Sequence, residues 1–128
     1  MLHPSLYIAN IPGKGRGVFT EEAIDAGEVV EIAPVIVLDA AARLLLDQTL
    51  LHDYIFEWQP EGRADCCVAL GWASIYNHAS PSCCEYEMDY EAQTIAVKTM
   101  RAIAAGEELT INYNGDWDNA RPVWFEMK

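Results

Sequence analysis

Three short segments carry residues whose types and spacing could do chemistry. The first is Gly13-Lys14-Gly15-Arg16-Gly17, followed by Val18-Phe19. Alternate glycines let a ligand approach the backbone closely, and the two cations between them suit a small anionic or carboxylate-bearing ligand. The segment is neither a P-loop nor a dinucleotide fingerprint, because the glycine spacing of both differs. The second is Tyr76-Asn77-His78-Ala79-Ser80-Pro81, which follows the apolar Ala69-Leu70-Gly71-Trp72. Here the Asn77 amide and either His78 ring nitrogen could be turned into a cleft. The third runs from Glu107-Glu108-Leu109 to Tyr113 and on to Trp117. It places aromatic rings at a bend, and aromatic faces attract cations. Taken singly, each segment has a plainer reading: a surface hairpin, a helix end closed by polar residues, and core aromatics.

The elements that must position these groups read mainly as short strands. Leu6–Ile11 is a first strand broken by Pro12-Gly13, and Gly17–Thr20 resumes it. Val29–Ile32 and Val35–Leu38 are β-branched and split by Pro34, which suits an edge or a bend. Asp39 can cap a helix running from Ala40 towards Leu51. Tyr54–Trp58 is again strand-like. Cys84–Met88 and Thr94–Lys98 flank a turn, and Leu109–Tyr113 is the last strand. Residues 23–32 echo residues 102–111, with six of ten positions identical around Gly27 and Gly106, each at a tight turn that opens a strand.

Composition narrows the function classes. The 128 residues carry a formal charge of −12, with 52% apolar residues. This describes one domain over 1–128 with a true core. The acidic balance argues against direct nucleic-acid binding and favours a basic partner, or serves solubility alone. The charge is uneven: the first twenty residues carry +2, leaving −14 for the rest. Residues 53 to 91 hold eight acids against Arg63 alone, so an acidic rim is expected there. No apolar run is long enough to span a membrane, and no secretory pattern opens the chain, so a cytoplasmic location is expected, or a nuclear one in a eukaryotic or viral setting. The cysteines form adjacent pairs, Cys66-Cys67 and Cys83-Cys84. Neighbours on a strand point to opposite faces, so these read as free buried thiols and no metal site is expected.

The order Gly-x-Gly-x-Gly-Val-Phe, then Asn-His, then Gly-Glu-Glu-Leu-x-x-x-Tyr resembles the SET-domain family of protein lysine methyltransferases. Ala26-Gly27-Glu28, Asp53-Tyr54-Ile55-Phe56 and the run Ala69 to His78 fit as well. The resemblance covers about residues 7 to 117. It is nearest to small stand-alone viral and bacterial members, since cysteine-rich flanks are missing.

This resemblance implies a β-clip fold of small curved sheets with a C-terminal pseudoknot and few short helices. It implies methyl transfer from S-adenosylmethionine to the ε-amine of a lysine in a basic protein segment. The alternative is a weak or inactive module that binds a basic peptide or the cofactor. Lys14, Gly15, Arg16, Gly17, Asn77 and His78 would contact the cofactor. Tyr113 would be the catalytic tyrosine, acting by position and electrostatics first, with proton acceptance left open. Tyr54, Tyr76 and Trp117 would line the lysine channel. Trp117 stands where relatives often have Tyr or Phe, which points to fewer methyl groups added. Ala79 and Ser82-Cys83 depart from the family's Ser and Pro-Asn, which bears on the knot's hydrogen bonds. The aromatic tail, residues 118–128, would serve as a lid or a homodimer contact.

Overall fold

A computed structural model of the chain describes residues 1–60 and 64–113. The strands, numbered in chain order, are β1 Leu6–Ile11, β2 Gly15–Thr20, β3 Val29–Leu38, β4 Phe56–Trp58, β5 Asp65–Ala69, β6 Asn77–His78, β7 Cys84–Asp89, β8 Thr94–Thr99 and β9 Glu108–Ile111. They form two sheets, one in the order β1-β2-β9-β6 and one in the order β4-β5-β3-β8-β7. The only α-helix among the described residues is α1, Ala40–Leu46, and a 3₁₀ turn follows at Leu50–Asp53. The mainly β, curled-sheet character anticipated from the sequence is therefore what the chain adopts.

The first sheet positions the glycine-rich loop. β1 and β2 are antiparallel, with Ile11 opposite Gly15. Gly13 and Gly15 have φ of 83° and 88°, values that side-chain-bearing residues avoid. The last strand, β9, then inserts between two earlier ones. It pairs antiparallel with β2 and parallel with β6, where Asn77 faces Thr110 and His78 faces Ile111. The amide of Ala79 donates to the Ile111 carbonyl (3.1 Å), and Cys83 N–H donates to the Thr110 hydroxyl (3.2 Å). Segment 77–83 is thus bonded along β9 in spite of the unusual Ala79 and Cys83.

Pro34 sits inside a ten-residue central strand rather than at an edge or a bend. The reason is a change of partners. Residues 29–34 of β3 pair with β8, whereas residues 35–38 pair with β5. Pro34 stands at the handover and uses its carbonyl alone, accepting from Leu70 N–H (2.8 Å), so its missing N–H costs no ladder bond. The expected helix is also shorter. Asp39 caps it, accepting from Ala42 N–H (2.9 Å), but it stops at Leu46, and Thr49 then caps the 3₁₀ turn by accepting from Leu51 N–H.

The internal echo is a mutual contact. Ile24 and Ile103 exchange backbone hydrogen bonds of 2.9 and 2.8 Å. Gly27 N–H donates to the Thr99 carbonyl and Gly106 N–H to the Thr20 carbonyl (2.8 and 2.7 Å). The two like turns are therefore related by a local two-fold and complete each other. Both isoleucines are buried, at 2% and 1% exposure, in the main apolar cluster with Val18, Val97 and Leu109.

The described strand acids of residues 53–91 fall on the two outer edges of the five-stranded sheet, which its curl brings together where the Phe56 and Trp58 rings meet those of Tyr86 and Tyr90 (centroids 5.1 and 4.8 Å). Those on β4 and β5 (Glu57, Asp65) lie at one edge and those on β7 (Glu85, Glu87, Asp89) at the other. Glu57 also pairs with Arg43 of α1, at 3.5 Å. All four cysteines are buried and free. No group of three or more metal-ligating side chains occurs among the described residues, and no helix there is long and apolar enough to cross a membrane.

Candidate active site

Four stretches of chain meet around one cavity of about 360 Å³, within the range of small-molecule sites. Lys14, Gly15 and Arg16 line one side of it. Asp53 and Tyr54 come from the end of the 3₁₀ turn, Ser74, Ile75 and Asn77 from the approach to β6, and Tyr113 from the end of β9. An added Cβ on Gly15 would meet nothing within 4 Å, so the backbone is open to a ligand at that point. Tyr54 and Tyr113 keep 40% and 36% of their surfaces accessible, so a ligand can reach both rings.

Asn77 is the junction of the site. Its side-chain amide donates to the Arg16 carbonyl (3.1 Å) and to Glu108 Oε2 (2.7 Å). One NH₂ group thus ties the glycine-rich loop to β9, a task that needs two donors on one atom. Gly17 serves the same junction and does not line the cavity. A Cβ there would lie 2.6 Å from Glu108 Oε2, 2.8 Å from Ile11 Cδ1 and 3.0 Å from Asn77 Nδ2.

His78 also lies behind the cavity wall. Its Nδ1 accepts from the Tyr113 backbone N–H (3.0 Å), which leaves the neutral ring's proton on Nε2. The two rings stand with centroids 5.2 Å apart. His78 therefore fixes where Tyr113 leaves β9. The Tyr113 hydroxyl donates to the Tyr76 carbonyl at 2.7 Å. Desolvation, with smaller contributions from Tyr54 and Glu108, pushes the Tyr113 phenol up to about 12.

Tyr76 corrects one expectation. Its ring is fully buried in the main core cluster, and its hydroxyl donates to Glu31 Oε1 (2.9 Å). It offers the site a carbonyl, not an aromatic wall, because its side chain faces the core when its neighbour Asn77 faces the loop. Trp117 and the tail 118–128 lie outside the described residues. The sequence reading included Ser74 and Ile75 only within the run Ala69 to His78 and gave them no role of their own. It missed Glu31, whose signal was an acid inside an otherwise apolar strand.

Thus Lys14, Gly15, Arg16, Tyr54, Asn77 and Tyr113 come together on one cavity, while Gly17, His78 and Tyr76 brace it from behind. Comparison with known proteins gives the family. The SET-domain family model matches residues 15–114. A Schizosaccharomyces pombe protein named histone-lysine N-methyltransferase, H3 lysine-37 specific, is 34% identical over 127 residues, covering 98% of this chain and 80% of the relative. A solved Plasmodium falciparum structure, named as a candidate histone methyltransferase, superposes with a TM-score of 0.65 at 24% identity, covering 91% of this chain and 98% of that one. These two relatives are eukaryotic, so they lend no weight to a special nearness to viral and bacterial members. The chain belongs to the SET-domain family of protein-lysine methyltransferases.

Proposed function

We propose that this protein transfers a methyl group from S-adenosylmethionine to the ε-amine of a lysine in a basic protein segment. The observation that carries this reading is the shared cavity. It joins a cationic, glycine-rich loop to two accessible tyrosines, and so places a carboxylate-binding end beside an aromatic end. The name of the fungal relative supports the same reaction class. When bound, the cofactor supplies a methyl group made electrophilic by its sulfonium.

The chain's own residues fit such a ligand. Lys14 and Arg16 offer positive charge where its carboxylate would lie, and the open backbone at Gly15 permits close approach. Displacement at carbon needs attacking nitrogen, methyl and sulfur in line, so positioning supplies much of the rate. The lysine must attack as a neutral amine, although its ordinary pKa is about 10.4. Desolvation beside the Tyr54 and Tyr113 rings disfavours the ammonium form and lowers that value. With its phenol pushed up to about 12, Tyr113 keeps its proton at neutral pH. It therefore acts by position and dipole first. Asp53 at the cavity edge adds a negative charge that suits a basic substrate.

The test is methyl transfer from labelled S-adenosylmethionine to a basic peptide array, beside a Tyr113→Phe variant. Transfer by the parent and its loss in the variant is the expected result. Tight cofactor binding with no transfer to any protein or peptide would replace this reading with that of a binding module.

A further inference from the structure

Glu31 is buried to 3% exposure, yet it lines no part of the cavity. A carboxylate in such a place is costly unless it is held by donors. Its Oε2 accepts from the Trp72 N–H (2.7 Å) and its Oε1 from the Tyr76 hydroxyl (2.9 Å). Space for it depends on Gly71, where a Cβ would stand 2.6 Å from Oε2. One carboxylate thus grips both ends of segment 72–76.

What lies between and beyond those ends belongs to the site. Ser74 and Ile75, in the middle of the segment, line the cavity. The Tyr76 carbonyl accepts the Tyr113 hydroxyl bond at 2.7 Å. Asn77, the next residue, ties the glycine-rich loop to β9. β3 is an interior strand of the other sheet, so Glu31 ties the cavity-lining segment to a strand paired on both sides.

We infer that Glu31 is a positioning residue for methyl transfer, acting through Tyr76 to set the Tyr113 hydroxyl and the Ser74–Ile75 wall. This rests on the methyl-transfer reading above. It assigns to a buried carboxylate, which touches neither cofactor nor lysine, control over the alignment of the tyrosine that does. The burial that pushes the Glu31 carboxyl above its ordinary value is the cost of this arrangement.

The experiment uses the whole chain labelled with 3-fluorotyrosine, with the Tyr113 fluorine signal identified by Tyr113→Phe. Glu31→Gln removes an acceptor, and Tyr76→Phe removes only the hydroxyl and keeps the ring packing. In both, the Tyr113 signal should shift or broaden. kcat should fall about tenfold, in line with small misplacements of reacting groups, with the KM for peptide and the affinity for S-adenosylmethionine little changed. In a Tyr113→Phe background, Tyr76→Phe should cause no further loss, because the shared step is already gone. An unchanged Tyr113 signal with unchanged kcat, alongside a lower Tm, would overturn the inference and leave Glu31 a staple of the fold. Absence of methyl transfer by the parent protein would overturn the reading of function instead. The fluorine signal would still decide whether Glu31 sets Tyr113.

Discussion

The His78 ring accepts a hydrogen bond from the backbone N–H of Tyr113, at 3.0 Å across the parallel pairing of β6 with β9. A side chain expected at the ligand is thereby bonded to the backbone of a residue that lines the cavity. His78→Ala should lower methyl transfer about tenfold, equivalent to about 1.4 kcal/mol, by freeing that N–H. His78→Asn, whose amide oxygen can accept the same bond, should recover part of the loss. Single-turnover rates of the three proteins decide the matter. Equal rates for Ala and Asn would show that the ring itself is needed.

The two kinds of glycine in the cationic loop should respond differently. Gly17→Ala drives a methyl group into Glu108, Ile11 and Asn77, and should cost about 1–3 kcal/mol and disturb the Asn77 junction. Gly13→Ala meets no atom but keeps a φ of 83°. It should cost about 1–2 kcal/mol from backbone strain alone and leave cofactor affinity unchanged. Denaturant melts and calorimetric titration with S-adenosylmethionine separate the two effects.

Lys14→Ala and Arg16→Ala should each weaken binding of S-adenosylmethionine about tenfold, the scale of one charge-assisted hydrogen bond. The effect should shrink as salt is raised. The Arg16 carbonyl bond to Asn77 survives either change, so the melting temperature should hold. Loss of affinity only together with loss of Tm would point to folding instead.

Two glutamates should give opposite pH dependences of stability. Glu31 is raised by burial, against the pull of Trp72 N–H, the Tyr76 hydroxyl and the Met1 amine. The folded state therefore holds its proton more tightly than the unfolded chain does. The stability this contributes is full below the ordinary value of 4.5 and is lost as pH rises through the raised folded value. Glu107 is lowered, first by its hydrogen-bonded pair with Arg101 and then by the Ala104 N–H. Its contribution is present above 4.5 and is lost as pH falls through the lowered value. Urea melts from pH 3 to 8 for Glu31→Gln and Glu107→Gln should each remove one of these slopes. A parent-like slope in either variant would exclude that residue as its source.

The thiols should be silent in the folded protein. Cys66, Cys67 and Cys84 have no exposed surface and Cys83 has 2%. Ellman's reagent should therefore react slowly in buffer and with all four in denaturant. Rapid reaction of Cys83 alone would show that the segment opens at β9.

The strands most legible in the sequence were those with local signals. Leu6–Ile11 matches β1 residue for residue, and the turn between Cys84–Met88 and Thr94–Lys98 is the β7–β8 hairpin. Lys14, Gly15, Arg16, Tyr54, Asn77 and Tyr113 could be picked out because their types and spacing announce their chemistry. What escaped was non-local. The handover at Pro34 depends on β5 and β8, whose positions no local pattern encodes. The buried side of Tyr76 follows from Glu31, which lies 45 residues earlier. The short strand β6 owes its existence to β9, since two residues cannot hold a strand without a partner. The acids of residues 53–91 could be counted in the sequence, but the contact of β4 with Tyr86 and Tyr90 that brings their two strands together is not contained in composition.

The local two-fold that joins Ile24 to Ile103 has a consequence for how the chain is made. The Gly27 amide has no acceptor until Thr99, some seventy residues later, has been made, whereas Gly106 finds Thr20 already in place. A nascent chain that ends before Ile103 lacks the acceptor for the Ile24 amide and the strand that separates β2 from β6. Such long-range closure is slow and exposes apolar surface on the way. Closure of this small domain therefore waits on β9, and apolar surface of the earlier strands stays uncovered until that strand arrives.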